Sequence, residues 1–324
     1  MEVAYKKEEY QAEKTESCIL KILAYFSVFD YPLTSDEIRR FLHPAAQIAS
    51  LENALTNLVT AGCVFKVNGF YLLRNDLKLV KKRQEGNLRA EQLLPKAIKI
   101  GQFLCRFPYV RGVGISGSLS KMDASEKADF DFFIITKANR LWIARTFMHL
   151  FKKLTFIIGT QHHFCMNYYL DEKALKLRDQ NIYTAVETIT LIPVGGKGMH
   201  DFFAANNWVG EWFLDYPSAM NDWQFKKRGS WFKSAIERML NNRMGNQLDD
   251  YLLKVTTGRW NKKREQRRLN YEGKAMALVT GKHYAWSNPD SFQEKIVSQY
   301  NKRIAELKSK WPGYFEPVNF SFEE

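Results

Sequence analysis

Two apolar, β-prone runs joined by a glycine- and charge-rich turn, GVGISGSLSKMDASEKADFDFFIIT from Gly112 to Thr136, constrain this chain more than any other stretch. The first run ends at Gly117-Ser118, and the second opens with Asp129 and Asp131 on either side of Phe130. Residues two apart in a strand point to the same side, so at a rise of about 3.3 Å per residue the two carboxylates share a face with Cα atoms about 7 Å apart. Such a pair repels unless a cation stands beside it, and hard oxygen ligands suit Mg²⁺ or Mn²⁺. Upstream, Gly117 lets the backbone approach a ligand closely, and the hydroxyls of Ser118 and Ser120 with the free N–H groups of the turn suit phosphate oxygens. A helix starting near Ser118 would add a favourable field at its N-terminus. KADFDF also reads as a plain strand start in which exposed Asp alternates with buried Phe. The turn 11 positions before Asp129 (129 − 118) favours the site reading.

The rest of the chain places this stretch in the middle of a multidomain protein, as 324 residues allow. Residues 1–80 read as a helical unit closed by a hairpin. SCILKILAYFSVFD has helical apolar spacing, and Thr34 or Ser35 offers an N-cap for a second helix. A third helix places Leu51, Leu55, Leu58 and Val59 on one face and stops at Gly62, and Asn68-Gly69 centres a hairpin. Three helices and a wing resemble a winged-helix domain. The third helix carries no Lys or Arg between Ile48 and Gly62, so packing is expected of it rather than duplex reading. Residues 81–108 are expected to form a connecting helix, interrupted near Gly86 and Pro95. Residues 109–195 alternate strand-like runs (VRGVGIS, FDFFIIT, FCMNYYL, TITLIPV) with one helix, an α/β pattern, and residues 196–324 are read as a helical C-terminal domain.

A formal charge of +13 favours polyanionic partners, and 45% hydrophobic residues exclude a disordered chain. No apolar run approaches the about 20 residues that a membrane span needs, and the charged first residues lack a signal-peptide core, so a cytoplasmic protein without a membrane partner is expected. The four dispersed cysteines read as buried thiols. KVTTGRWNKKREQRR gathers Lys254, Arg259, Lys262, Lys263, Arg264, Arg267 and Arg268 around Trp260, the composition of a nucleic-acid groove or of a solvated basic helix. Adjacent His162 and His163 face opposite ways in a strand and read as a loop or core pair. His283 beside Lys282 reads as a solvated helix end. Trp208, Trp212 and Trp223 are expected in the core of the helical domain.

The Gly-Ser turn followed by Asp-x-Asp resembles the nucleotidyltransferase superfamily that includes DNA polymerase β, over roughly Val110 to Val194. The resemblance implies an α/β (α+β) nucleotidyltransferase core with a mixed sheet, flanked here by the winged-helix-like domain and the C-terminal helical domain. It further implies that Gly117 and Ser118, with Ser120 and Lys121 of the same turn, hold the triphosphate of an NTP. Asp129 and Asp131 are then the catalytic pair and bind Mg²⁺ or Mn²⁺. A third carboxylate is expected on a later strand, where this chain has Asn167, with Glu187 and Asp171 as substitutes. Lys121 and Met122 stand where the family usually has a second glycine. The implied activity is transfer of a nucleoside monophosphate to an acceptor hydroxyl of RNA, a protein or a small molecule, with nucleic acid held by the basic C-terminal helices. The alternative is a non-catalytic nucleotide-binding regulator acting through the winged-helix-like domain on DNA or a protein partner.

Overall fold

A computed structural model describes residues 14–126, 129–157, 164–216, 230–266, 276–289 and 291–316. By contact density the chain divides into two compact units, Met1–Arg83 with Gly210–Pro217 and Ile296–Glu324, and Gln84–Val209 with Ser218–Lys295.

In the first unit, α1 (Thr15–Ser27) buries Ile19, Leu20, Leu23 and Phe26. Thr34 caps α2 (Ser35–Arg40) in a reciprocal capping box with Glu37, which satisfies two orphan donors of the helix. α3 (Leu51–Thr60) buries Leu51, Ala54, Leu55 and Leu58 and ends before Gly62, which has φ +70°. Asn68 and Gly69, with φ of 49° and 82°, turn β2 (Phe65–Val67) into β3 (Phe70–Leu72). That pair of positive φ values is the two-residue hairpin turn for which Asn-Gly is suited. Together with β1 (Leu33–Thr34) these strands form a three-stranded antiparallel sheet in the order β1-β3-β2.

The second unit is built on a six-stranded mixed sheet in the order β7-β4-β5-β6-β9-β8, with β4 at Val110–Ser116, β5 at Asp131–Thr136, β6 at Cys165–Asp171, β7 at Ile192–Gly195, β8 at Met276–Thr280 and β9 at Tyr284–Pro289. β5 and β6 are parallel and every other neighbouring pair is antiparallel. The parallel pair requires a crossover, which α6 (Leu141–Ile157) supplies. Phe130, Phe132 and Ile134 pack under Ala90, Ala97 and Leu104 of α4 (Leu77–Leu104) and under Leu141, Trp142 and Met148 of α6. On the other face Phe133 meets Phe202 of α8 (Gly198–Ala205), and Tyr168 stacks between Phe133 and Trp286. α8 lies close because Gly112 has no side chain: a Cβ there would stand 2.9 Å from the Met199 nitrogen.

Four expectations are corrected. α4 runs unbroken through Gly86 and Pro95, and Gly86 admits the Asp123 side chain and accepts the Ala124 N–H at 3.1 Å. TITLIPV is split: Thr188 and Ile189 end α7 (Ile182–Ile189), and β7 begins only at Ile192. Asn181 caps α7 reciprocally with Thr184, and its buried Ile182, Ala185, Val186 and Ile189 follow the helical period, which prevails over β-branching. Residues 196–324 are not wholly helical. Besides α9 (Trp231–Leu240), α10 (Arg243–Glu265) and α11 (Phe292–Lys310), they contribute the β8–β9 hairpin that extends the central sheet beyond β6. Cys105 and Cys165 are only partly buried, unlike Cys18 and Cys63.

Candidate functional site

Antiparallel pairing of β4 with β5 sets Ser116 opposite Asp131, and parallel pairing of β5 with β6 sets Asp131 opposite Cys165. The Gly-Ser turn, the aspartate pair and the start of β6 therefore meet at one end of three adjacent strands. Gly117 has φ +72°, the left-handed region that glycine adopts without strain. A Cβ at Gly117 would stand 2.5 Å from Asp131 Oδ2, so only a bare backbone can lie against that carboxylate.

Asn167 arrives by a register shift. Phe132 pairs with Met166 and Phe133 with Tyr168, leaving Asn167 as the extra residue of a β-bulge, a device that re-aims a side chain. Its Nδ2 donates to Asp131 Oδ1 at 2.9 Å, and its Oδ1 accepts from Cys165 Sγ at 3.2 Å. Lys121, just after α5 (Gly117–Ser120), donates to the Gly117 carbonyl at 3.2 Å and pairs with Glu187 of α7 at 2.9 Å. The remaining serines differ in exposure. Ser118 is exposed, and its carbonyl closes the turn by accepting the N–H groups of Lys121 and Asp123. Ser120 is buried and donates to the Gly117 carbonyl at 2.9 Å. α5 is four residues long, so the helix field expected at the turn is confined to a single turn of backbone.

The electrostatics follow from this crowding. Burial pushes the Asp131 carboxyl up to about 6 and the neighbouring Asp129 charge adds to the shift; hydrogen bonding with the Cys165 side chain opposes it, Glu187 adds further, and Lys121 opposes. Burial, then the Asp131 charge, pushes the Cys165 thiol up to about 12, which keeps it protonated. Tyr183, on the same helix as Glu187, is also held well above the usual tyrosine range, first by burial and then by Glu187. The half-buried carboxylate pair thus carries a charge for which a cation would be the natural neighbour.

Glu187 is in electrostatic range of Asp131, whereas Asp171 is at the far end of β6, where it is opposite Thr136. Asp171 therefore does not reach the aspartate pair. Among the described residues no cluster of three or more His, Cys, Asp or Glu side chains stands ready to hold a metal. His283 is tied to Asp171 at 2.8 Å, and Lys282 pairs with Asp250, so neither is a free solvated end. Trp208 is buried, and His162, His163, Trp223, Arg267 and Arg268 lie outside the described residues. Sequence reasoning missed the Lys121–Glu187 pair and Cys165. Only the position of Cys165 at the head of a strand parallel to β5 hinted at its place.

No helix among the described residues is long and apolar enough to cross a membrane. Comparison of the chain with protein-family models, with curated proteins and with solved structures finds no match.

Proposed function

We propose that the protein transfers a nucleoside monophosphate from an NTP to an acceptor hydroxyl in an Mg²⁺-dependent reaction. The observation that carries this reading is the placement of Gly117, in the left-handed region, against Asp131 at the head of a central strand, with Asp129 two residues earlier. Backbone N–H groups of the turn and the exposed Ser118 hydroxyl suit the phosphates. The Lys121 ammonium stands beside the turn as a donor, its charge balanced by Glu187. Mg²⁺ is commonly held by one or two carboxylates together with substrate phosphates, so a carboxylate pair is enough protein ligation for the ion. Asp129 and Asp131 would hold it, and it would neutralise charge on the transferred phosphoryl group. The acceptor oxygen bonds to the α-phosphorus, the bond to the β-phosphate oxygen breaks, and pyrophosphate leaves as the hydroxyl proton is released. RNA, a protein side chain and a small alcohol all offer such a hydroxyl.

Asn167 favours a second reading. An amide that donates to Asp131 at 2.9 Å stands where a carboxylate is expected, as in a site that binds nucleotide without turnover and regulates DNA or a protein partner through residues 1–80. The two readings separate in one experiment. The purified protein is incubated with each α-labelled NTP and Mg²⁺ in cell lysate, beside Asp129→Asn/Asp131→Asn. Label transferred by the wild type and lost in the variant supports the transferase. Metal-dependent nucleotide binding without any label, with transfer gained on Asn167→Asp, supports the regulator. Equal labelling by wild type and variant removes the transferase reading.

A further inference from the structure

The basic segment of α10 does not act alone. α10 packs against α6, and the two helices pool their charge. α6 carries Arg145, Lys152 and Lys153 and no acidic residue, and α10 carries Lys254, Arg259, Lys262, Lys263 and Arg264 with no acidic residue from Tyr251 to Arg264. One imidazole reports how closely they converge. His149 of α6 is held down at about 4, first by burial and then by Arg145, Lys152, Lys153 and Lys263, cations from both helices.

Arg145 sits over the rings of Trp260 at 4.7 Å, Trp142 at 5.7 Å and Tyr169 at 5.9 Å, and no carboxylate pairs with it among the described residues. Burial among these rings lowers the Arg145 pKa, so its guanidinium packs the two helices together, against one face of Trp260, rather than meeting solvent. The patch reaches the site end of the sheet. α6 is the crossover from β5 to the parallel strand β6, so its C-terminal half returns to the strand ends that carry Asp131 and Cys165. Phe151 contacts Phe164 there at 5.2 Å, and the Lys152 charge acts on Cys165.

We propose that the α6–α10 face, through Lys152, Lys153, Lys262 and Lys263, binds the phosphodiester backbone of a nucleic-acid strand and leads it toward Asp129 and Asp131. Four lysines with no interspersed acid suit a repeating anion read without regard to sequence. Leu150 and Leu154 are exposed on α6, an apolar area small beside the charge, so an anionic membrane fits less well. Delivery of the strand to the aspartates rests on the transferase reading; binding of the strand does not.

The test is fluorescence anisotropy of the full chain with a labelled 20-nucleotide single-stranded RNA, without NTP or Mg²⁺. About four phosphates neutralised give a log–log salt slope of about −3, hence about 60-fold weaker binding at 200 than at 50 mM KCl. Lys152→Gln/Lys153→Gln/Lys262→Gln/Lys263→Gln is expected to bind at least tenfold more weakly at 50 mM KCl with a nearly flat slope. Lys153→Glu, an exposed single change, serves if the fourfold variant fails to fold, and it should weaken binding severalfold. RNA binding should also raise the His149 titration seen by NMR. Because the binding assay contains neither NTP nor Mg²⁺, a failed transfer assay leaves this proposal standing. Wild-type affinity in the lysine variants, no binding by the wild type, or binding to phosphatidylserine vesicles in place of RNA would overturn it.

Discussion

Two aspartates on adjacent strands of the same sheet, Asp131 and Asp171, stand at opposite ends and are treated in opposite ways. Asp171 is fully buried and well satisfied: it accepts the N–H groups of Asn139 at 2.8 Å and Lys173 at 2.9 Å and is 2.8 Å from His283 Nδ1. Asp131 accepts from one side-chain amide, faces the bare backbone of Gly117, and has a second carboxylate as its electrostatic neighbour. A carboxylate surrounded by donors ties loops together, whereas one desolvated beside a like charge keeps its proton more readily.

The largest expected stability effect tests that contrast. Asp171→Ala leaves two buried N–H groups and an imidazole without their acceptor and should cost about 3 kcal/mol. Asp131→Asn removes a repelled, desolvated charge and should be neutral or stabilising by up to about 1 kcal/mol. Urea midpoints of the two variants check this, and equal losses would erase the distinction.

Asp249 shares traits with both. It is fully buried like Asp171 and accepts the Ile143 N–H at 3.0 Å, yet burial pushes it up to about 6 despite Lys282 at 3.7 Å. A raised carboxyl is protonated more readily in the folded than in the unfolded chain. Its contribution is therefore complete below pH 4 and is lost as pH rises through about 6. The loss is on the order of 3 kcal/mol. Asp249→Asn should flatten that part of the stability profile and leave the variant relatively more stable at pH 8 than at pH 4.5; an unchanged profile would place the slope elsewhere.

Gly117→Ala sharpens the contrast at the turn. The left-handed φ alone should cost about 1 kcal/mol, as at Gly62, where nothing lies within 4 Å of an added Cβ. The clash with Asp131 Oδ2 should add roughly 1 kcal/mol at Gly117 only. Equal thermal shifts for the two alanine variants would mean that the carboxylate moves aside freely. The smallest effect is expected of Asn167→Ala, where the two part-buried hydrogen bonds, to Asp131 and from Cys165, are together worth about 1 kcal/mol in denaturant titration.

Much of this was legible in local chemistry. Asn68-Gly69, the Thr34 cap, the stop at Gly62 and the two apolar runs around the Gly117 turn each carry their conformation in one or two residues. Sequence put Asp129 and Asp131 two positions apart and expected one strand to face both the same way, but β5 begins only at Asp131, so the pleat does not set the side of Asp129. What escaped was set by long-range packing. Nothing local shows that β8 and β9 would extend the sheet at β6, or that α4 would pass Gly86 unbroken by receiving Asp123. The bulge that turns Asn167 onto Asp131 depends on the register between two strands 34 residues apart, Asp131 to Cys165. The Lys121–Glu187 pair likewise joins a turn to a helix 66 positions later (187 − 121).

The central claim is that Asp129 and Asp131 together hold a nucleotide-bound divalent cation. Isothermal titration of ATP and of the other NTPs, with and without Mg²⁺, into the wild type and into Asp129→Asn/Asp131→Asn tests it most directly. Saturable binding by the wild type that requires Mg²⁺ and disappears in the variant is the predicted result. Mg²⁺-independent binding, or equal affinity in the two proteins, would contradict it.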